Sequence, residues 1–370
     1  MMKNNLGIYI HLPFCKEKCS YCDFTSFCAD EKTQSRYIDD LLKEVSCYRS
    51  DTEQRDISTL YFGGGTPSAL SPFLLEKLFR GLPKQYFSAE EITFEMNPES
   101  VSLEKLSILK EAGVNRISLG IQSFADRTLD LLGRIHSAEE GVAAVHHIRQ
   151  AGFKNLNVDL MYAIGEGYPV EESVRNLVKL QPDHISTYPL ELYDHRPLSK
   201  ILQPVDDALS AQEFSFIHDE LIANGYVRYE VSNFAKPGFA SKHNIGYWER
   251  TDYLGLGVSA HSLLGSHRHS NSLTLAAYHD ALSRGDKPIE ERVELTREDQ
   301  AFEMLMLGLR LTDGVDLSLY RERYGDLSKG QKKSIMKFRD QGLIDRRKDR
   351  LALTPEGMNL MNLVLVELME

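Results

Sequence analysis

The chain has 370 residues, a formal net charge of −11, and 42% hydrophobic and 26% charged residues. That is an ordinary globular composition, long enough for one large core plus a smaller unit, and its acidity argues against a nucleic-acid partner. No apolar run approaches the ~20 residues of a membrane span, Lys3 leads straight into a predicted strand where a signal peptide would begin, and an odd count of five cysteines fits a reducing cytoplasm better than a disulfide framework.

The first predicted element, GIYIHLPF, alternates apolar residues and stops at a proline, as a strand running into a loop does. The loop is CKEKCSYC, with Cys15, Cys19 and Cys22 inside eight residues. Thiolates are soft ligands, and closely spaced ones select zinc or an iron–sulfur cluster. Structural zinc takes four protein ligands, and a cubane cluster is usually held by four cysteines. Three ligands therefore suggest a cluster with one iron left open to a small molecule. A zinc knuckle completed from elsewhere in the chain is the alternative. Cys28 and Cys47 read as ordinary thiols, Cys28 lying close to the loop.

Further strands are expected at STLYFGG, EITFEMN, NRISLGI, LNVDLMYAI and DHISTYPLEL. Helical patterns separate them at SRYIDDLLKEVSCY, SPFLLEKLFRGL, LEKLSILKEAG, AEEGVAAVHHIRQAG and PVEESVRNLVKL. Strand–helix alternation implies a parallel sheet covered by helices, and six repeats are too few for a closed eight-fold barrel. The expected fold is α/β, a partial (β/α)6 barrel over residues 1–193. Reactive groups in such sheets gather at the carboxyl ends of the strands. Those ends carry the cysteine loop, the GGGTP turn, Glu95 and Asn97, Gln122, Asp159, and Tyr188 with Glu191. Residues 194–294 read as an extension with a helix at 209–224, a strand at YVRYEVSNFA, and a loop-rich stretch carrying HNIGYW and YLGLGVSAHSLLG. Residues 295–370 read as a small winged-helix-like unit: three helices, a ribbon at LIDRRKDRLALT and a last helix from Pro355. The basic segment from Lys329 to Arg350 reads as a solvated helix face and a turn.

The stretch YIHLPFCKEKCSYCDF resembles the signature of radical S-adenosylmethionine (SAM) enzymes, C-x3-C-x2-C with an aromatic residue before the third cysteine. The resemblance implies that Cys15, Cys19 and Cys22 hold a [4Fe–4S] cluster and that the amine and carboxylate of SAM chelate its fourth iron. Reduction then cleaves SAM to a 5′-deoxyadenosyl radical. GGGTP resembles the GGE-type motif of that family, which places Gly64, Gly65 and Thr66 beside SAM. Tyr9 and Tyr21 match aromatic positions that contact SAM in the porphyrinogen-oxidase branch. Glu95 matches an acidic residue that binds the ribose, and a carboxylate can accept from both ribose hydroxyls. Gln122, Arg134 and Asp159 match further polar positions.

Nearly the whole chain, through YFGGGTPS, FEMNPES, NRISLGIQSF and YEVSNFAKPG, resembles the HemN/HemW group. One arm of that group comprises oxygen-independent coproporphyrinogen III dehydrogenases, which decarboxylate two propionates to vinyl groups. The other comprises haem chaperones that deliver haem to membrane cytochromes. Three features favour the chaperones. Phe24 stands where the dehydrogenase motif has another cysteine, only eight residues precede Tyr9, and HNIGYW matches the HNxxYW motif of the chaperones. The resemblance then implies a [4Fe–4S] cluster, SAM and haem as bound groups, with a membrane haemoprotein as acceptor. It leaves a homodimer open. A neutral imidazole is a common axial haem ligand; His243 is expected in that role, with Tyr247 and Trp248 as flat surface and His261, His267 and His269 as rivals. The basic Lys329–Arg350 segment offers a peripheral contact with an anionic membrane surface. Two places depart from the group: YAIGEG, where a YGLP-like turn is usual, and YDHRPL, where a small residue and threonine are usual.

Overall fold

β1 (Asn5–Leu12) sets the pattern for the sheet. Leu6, Ile8, Ile10 and Leu12 are fully buried in one core with Ile38, Leu41 and Leu74 of the flanking helices, while Gly7, Tyr9 and His11 alternate onto the opposite face. The fold is that of a computed structural model describing residues 5–347 and 349–369; Lys3, and Lys348 of the basic segment, lie outside the described residues. The same alternation runs through β2 (Asp56–Gly64), β3 (Glu91–Met96), β4 (Arg116–Gln122), β5 (Asn155–Tyr162) and β6 (His184–Pro189). Leu60, Phe62, Ile92, Phe94, Ile117, Leu119, Leu156, Val158 and Ile185 join the helix-side core. The inner face is polar instead: Thr59, Tyr61, Thr93, Glu95, Arg116, Ser118, Asn157, Asp159, His184 and Ser186. The hydrophobic core therefore sits between sheet and helices, and the barrel interior is left for chemistry.

β1 to β6 lie in sequence order and pair in parallel throughout. The sheet continues past both edges. β7 (Val227–Arg228) and β8 (Asn233–Ala235) form a hairpin, and β8 runs antiparallel to β6. YVRYEVSNFA is thus two short strands rather than one. Tyr229 N donates to Asn233 O at 3.2 Å, and Arg228 Nη2 donates to Val231 O at 2.8 Å, folding the middle back. Beyond β1, β9 (Tyr253–Leu256) pairs with it in parallel, followed by antiparallel β10 (His261–Leu264), β11 (His267–Asn271) and β12 (Ile289–Glu294). Among the described residues this makes one sheet of twelve strands.

A second core forms in the C-terminal segment around Leu305, Leu309, Phe338, Leu351 and Val364. Helices Arg297–Gly308, Leu317–Tyr324 and Lys329–Asp340 accompany a small sheet of β13 (Val315–Asp316), which lies between the first two helices, β14 (Ile344–Arg347) and β15 (Arg350–Leu353). Helix Lys329–Asp340 buries Ile335 and Phe338 and turns Lys329, Lys332, Lys333 and Lys337 to solvent, the solvated face expected of it. The unit is tied to the barrel through Glu303, which pairs with Arg250 at 2.9 Å and Arg268 at 2.8 Å.

Candidate cofactor site at the barrel mouth

The cysteine loop leaves β1 at Pro13 and is pinned at several points. Phe27 N donates to Pro13 O at 2.6 Å, and Cys15 N donates to Phe27 O at 3.1 Å. Ser20 N donates to Leu132 O at 3.1 Å, and Leu198 N donates to Ser20 O at 3.2 Å. Asp23 accepts from His195 Nε2 at 2.7 Å and Arg196 Nε at 3.2 Å. The YDHRPL departure therefore reaches back and clasps the cysteine loop. The YAIGEG departure turns at Ala163 (φ 55°), whose N–H donates to Glu213 Oε2 at 2.6 Å. Its Ile164 packs with Tyr21, Leu132, Met161 and Leu198 under the loop.

Cys15, Cys19 and Cys22 are free and half-buried. Burial pushes the Cys15 and Cys22 thiols up. Thr66 Oγ1 donates to Cys15 Sγ at 3.6 Å, and Arg134 Nη1 donates to Cys19 Sγ at 3.4 Å. Among the described residues no three metal-ligating side chains converge closely enough to hold a single ion.

The glycine turn at the end of β2 closes against this loop. Gly64 has φ +118°, and a Cβ there would lie 2.7 Å from the His11 ring; one on Gly65 would lie 2.9 Å from the Phe14 backbone. Any side chain would push the turn away from the cysteines. His11 is held in one tautomer: its Nε2 donates to Thr25 O at 3.0 Å, so Nδ1 accepts from the Tyr9 hydroxyl at 3.0 Å. Glu95 Oε1 accepts from the Tyr61 hydroxyl at 2.8 Å, and Oε2 accepts from Gly64 N at 3.1 Å. Burial pushes the Glu95 carboxyl up to about 7. Asp159 accepts from Asn157 Nδ2 at 2.7 Å, and burial raises it too, opposed by that bond and by the charges of Arg116 and Arg134.

Gln122 takes a left-handed φ of 72° at the end of β4. Its Oε1 and the Nε of Arg134 are buried with no protein partner, although Arg134 Nη2 donates to Gly120 O at 2.6 Å. Buried polar groups without partners are few in folded proteins, and each asks for a ligand or water. Three free thiols, a glycine cradle and two orphaned polar atoms at one end of the barrel fit a cluster with a small polar ligand. The structure thus brings Tyr9, Gly64, Gly65, Thr66, Glu95, Gln122, Arg134 and Asp159 to the same end as the three cysteines, with Tyr21 in the loop itself. Sequence reasoning missed Tyr61 and His11. The two-residue alternation that places Tyr9 and Glu95 on the inner face would have found both.

His243 lies deeper in the barrel, its ring stacked on Tyr61 at 4.9 Å and 6.4 Å from the Tyr9 ring, and its expected loop setting is corrected. HNIGYW is no loop but the helix Lys242–Trp248, packed under the amino ends of β1 to β3. Ser241 caps it by accepting from Asn244 N at 3.4 Å, and Glu91 accepts from Lys242 N at 2.9 Å and His243 N at 3.0 Å. A carboxylate there suits the positive end of a helix. His243 is 4% exposed. Its Nδ1 bonds Thr59 Oγ1 at 2.7 Å, and its Nε2 bonds the Tyr247 hydroxyl at 2.9 Å. Burial pushes its pKa down to about 3. Both ring nitrogens are engaged, so the imidazole stands here as a hydrogen-bonding anchor. Tyr247 packs edge-on against His243 and Tyr253, and the Arg310 guanidinium covers the Trp248 ring. The adjoining cavity of about 260 Å³ falls below the roughly 300–1,000 Å³ of pockets that enclose small molecules. Of the rivals, His269 is buried against the Tyr48 hydroxyl at 3.0 Å, whereas His261 and His267 are exposed.

Comparison with known proteins agrees with this geometry. Residues 9–177 match the radical SAM superfamily and residues 295–360 the HemN C-terminal domain. The chain is 35% identical over 365 residues to the heme chaperone HemW of Bacillus subtilis, covering 96% of each chain. It is 34% identical to heme chaperone HemW of Lactococcus lactis, over 98% of this chain and 97% of that one, and 32% identical to that of Escherichia coli, over 97% of each. The solved structure of the radical SAM enzyme coproporphyrinogen III oxidase (HemN) from Escherichia coli superposes with a TM-score of 0.83 at 25% identity, over 99% of this chain and 90% of that one. The radical-SAM α/β fold expected from the sequence is the fold found, and the small C-terminal unit matches the HemN C-terminal domain. Kinship at this level, running from the cysteine loop through the C-terminal unit, means that the chain belongs to the HemW family of radical SAM proteins.

Proposed function

We propose that this protein is a haem chaperone that binds a [4Fe–4S] cluster and SAM at the barrel mouth, takes up haem and passes it to a membrane haemoprotein. The observation that carries the reading is full-length identity to heme chaperones at 30–35%. Phe24 supports it: the position that is cysteine in the dehydrogenase motif is here an apolar side chain, 71% exposed.

In this reading Cys15, Cys19 and Cys22 hold three irons, and the fourth is left to SAM. Together the two groups supply one-electron cleavage of SAM. The protein's own residues do the positioning. Gly64, Gly65 and Thr66 present backbone and a hydroxyl at close range, and Tyr9 and Tyr21 wall the site. Glu95 and Asp159 accept from hydroxyl groups, Gln122 offers its unpaired Oε1 to a donor, and Arg134 keeps a positive charge against Cys19. Haem is the cargo. Its uptake does not use His243 as that side chain now stands, because Thr59 and Tyr247 occupy both nitrogens; of its three rivals, His261 and His267 are the exposed imidazoles.

Delivery needs contact with a membrane. No described helix is long and apolar enough to cross one. The surface offered is the C-terminal unit, where Lys329, Lys332 and Lys333 lie on the helix that exposes Met336, and the last helix exposes Leu363 and Val366. Binding to vesicles rich in anionic lipid is expected to weaken when Lys332 and Lys333 become glutamine, and unchanged binding removes that contact.

An anaerobic haem titration of the cluster-loaded protein, followed by absorbance, tests the main reading. Saturation near one haem per chain supports it, and no saturable binding overturns it. The likeness to HemN favours coproporphyrinogen decarboxylation as the second reading. Turnover of coproporphyrinogen at an enzyme-like rate by the unmodified chain would put that reading first.

A further inference from the structure

Cys28 stands just past the point where the cysteine loop closes on itself. Phe14 and Phe27 form a parallel bridge, held by the bonds from Phe27 N to Pro13 O and from Cys15 N to Phe27 O. Paired backbones lie about 5 Å apart, with paired side chains on the same side. The next residue along each segment is a cysteine, so Cys15 and Cys28 come abreast. A disulfide needs Cα atoms about 4.4–6.8 Å apart, a range that includes the spacing of paired backbones. Both thiols are free, and both line one cavity of about 410 Å³ with Lys16, Asp30 and Gln34. Cys28 is exposed, yet its Sγ donates to Lys16 O at 3.5 Å, which turns it back toward the Cys15–Lys16 backbone.

We infer that Cys15 and Cys28 are a redox pair that closes as a disulfide in the cluster-free protein and thereby withdraws one cluster ligand. The disulfide itself follows from the loop geometry; its consequence for loading rests on the cluster reading above. With oxidised glutathione as oxidant, the exposed Cys28 thiolate attacks one glutathione sulfur, and one glutathione leaves as thiolate. The Cys15 thiolate then attacks the Cys28 sulfur of the mixed disulfide, and the second glutathione leaves. Two protein thiols lose two electrons and two protons, and one glutathione disulfide becomes two thiols. A thiol reductant runs the sequence backward and returns Cys15 to the cluster site.

The test uses the full chain, freed of metal, reduced, and exposed anaerobically to oxidised glutathione. Trypsin cuts after Lys16 and Lys18, which puts Cys15 on one peptide and Cys19, Cys22 and Cys28 together on another. Non-reducing peptide mapping with fragmentation is expected to find the two peptides joined through Cys15 and Cys28, and unjoined in Cys28→Ser. Joining of Cys15 to Cys19 or Cys22, or glutathione left on Cys28 with Cys15 still free, overturns the inference. In a second arm, iron uptake on reconstitution is expected to drop about fivefold or more after oxidation. It is expected to recover with dithiothreitol and to be spared in Cys28→Ser. Equal uptake before and after oxidation, with the Cys15–Cys28 link present, removes the regulatory consequence. Failure of the fully reduced chain to take up iron at all counts against the cluster reading and leaves the disulfide result standing.

Discussion

At the mouth of the barrel Gln122 Oε1 and Arg134 Nε are buried without a protein partner, whereas at its foot His243 has a partner on each ring nitrogen. The residues of both regions were expected to bind something. The mouth keeps polar valences open and surrounds them with free thiols and glycine backbone. At the foot the groups around His243 are bonded instead: Glu91 alone accepts from Ser241 Oγ, Lys242 N and His243 N, although Trp248 Nε1 is buried without a partner. An unpaired buried group costs stability that a ligand can restore, and a fully bonded one stabilises the fold and has nothing left to offer. A histidine in a motif is therefore only a candidate ligand until its neighbours are known.

The sharpest break between the regions is expected from the cysteines. Replacing Cys15, Cys19 or Cys22 by serine should take reconstituted iron from about four atoms per chain to near zero. Melting of the cluster-free chain should move little, since all three are part-exposed. Iron retained in all three variants would remove the cluster from the mouth. Next in size is the foot. His243→Ala loses two buried hydrogen bonds and leaves a cavity, at a cost of about 2–4 kcal/mol in denaturant unfolding. Its cluster content should be unchanged, and its haem spectrum, if haem binds, should match the parent. A changed Soret band with unchanged stability would turn the anchor back into a ligand.

A smaller effect is expected at Glu95. Its folded pKa of about 7 stands above the ordinary 4.5, so the carboxyl favours its protonated form in the fold. That stabilising contribution is fully present below about pH 4.5 and is lost as pH rises through about 7. The cluster-free chain should therefore lose about 3 kcal/mol across this window, a loss absent in Glu95→Gln. Conversely, SAM should bind about tenfold more tightly at pH 8 than at pH 6, because the carboxylate is the form that accepts from both ribose hydroxyls. A flat pH profile in the parent would separate Glu95 from SAM. The smallest effect belongs to Phe24→Cys. At this exposed position stability should shift by no more than about 0.5 kcal/mol, and gain of coproporphyrinogen turnover is the readout that matters.

Much of the mouth was legible in the sequence because it depends on local rules. Strand alternation, a proline ending β1, and glycines where φ is positive all act within a few residues. The foot depends on partners far along the chain. The helix that carries HNIGYW, Lys242–Trp248, has only seven residues, too few to hold a helix alone. It is helical because Glu91, 152 residues before His243, receives its first N–H groups. The hairpin inside YVRYEVSNFA and the parallel seat of β9 beside β1 are likewise settled by neighbours distant in sequence. No periodicity announces a partner of that kind.

Glu303 carries a mechanical consequence. Arg250 follows directly on the helix that bears His243, and Arg268 lies on β11; both guanidiniums converge on this one buried carboxylate from the C-terminal unit. A load applied to helix Arg297–Gly308 is thus divided between the foot of the barrel and its outer strands. Whatever docks on the C-terminal unit therefore takes hold of the barrel at two points at once, through Arg250 and through Arg268.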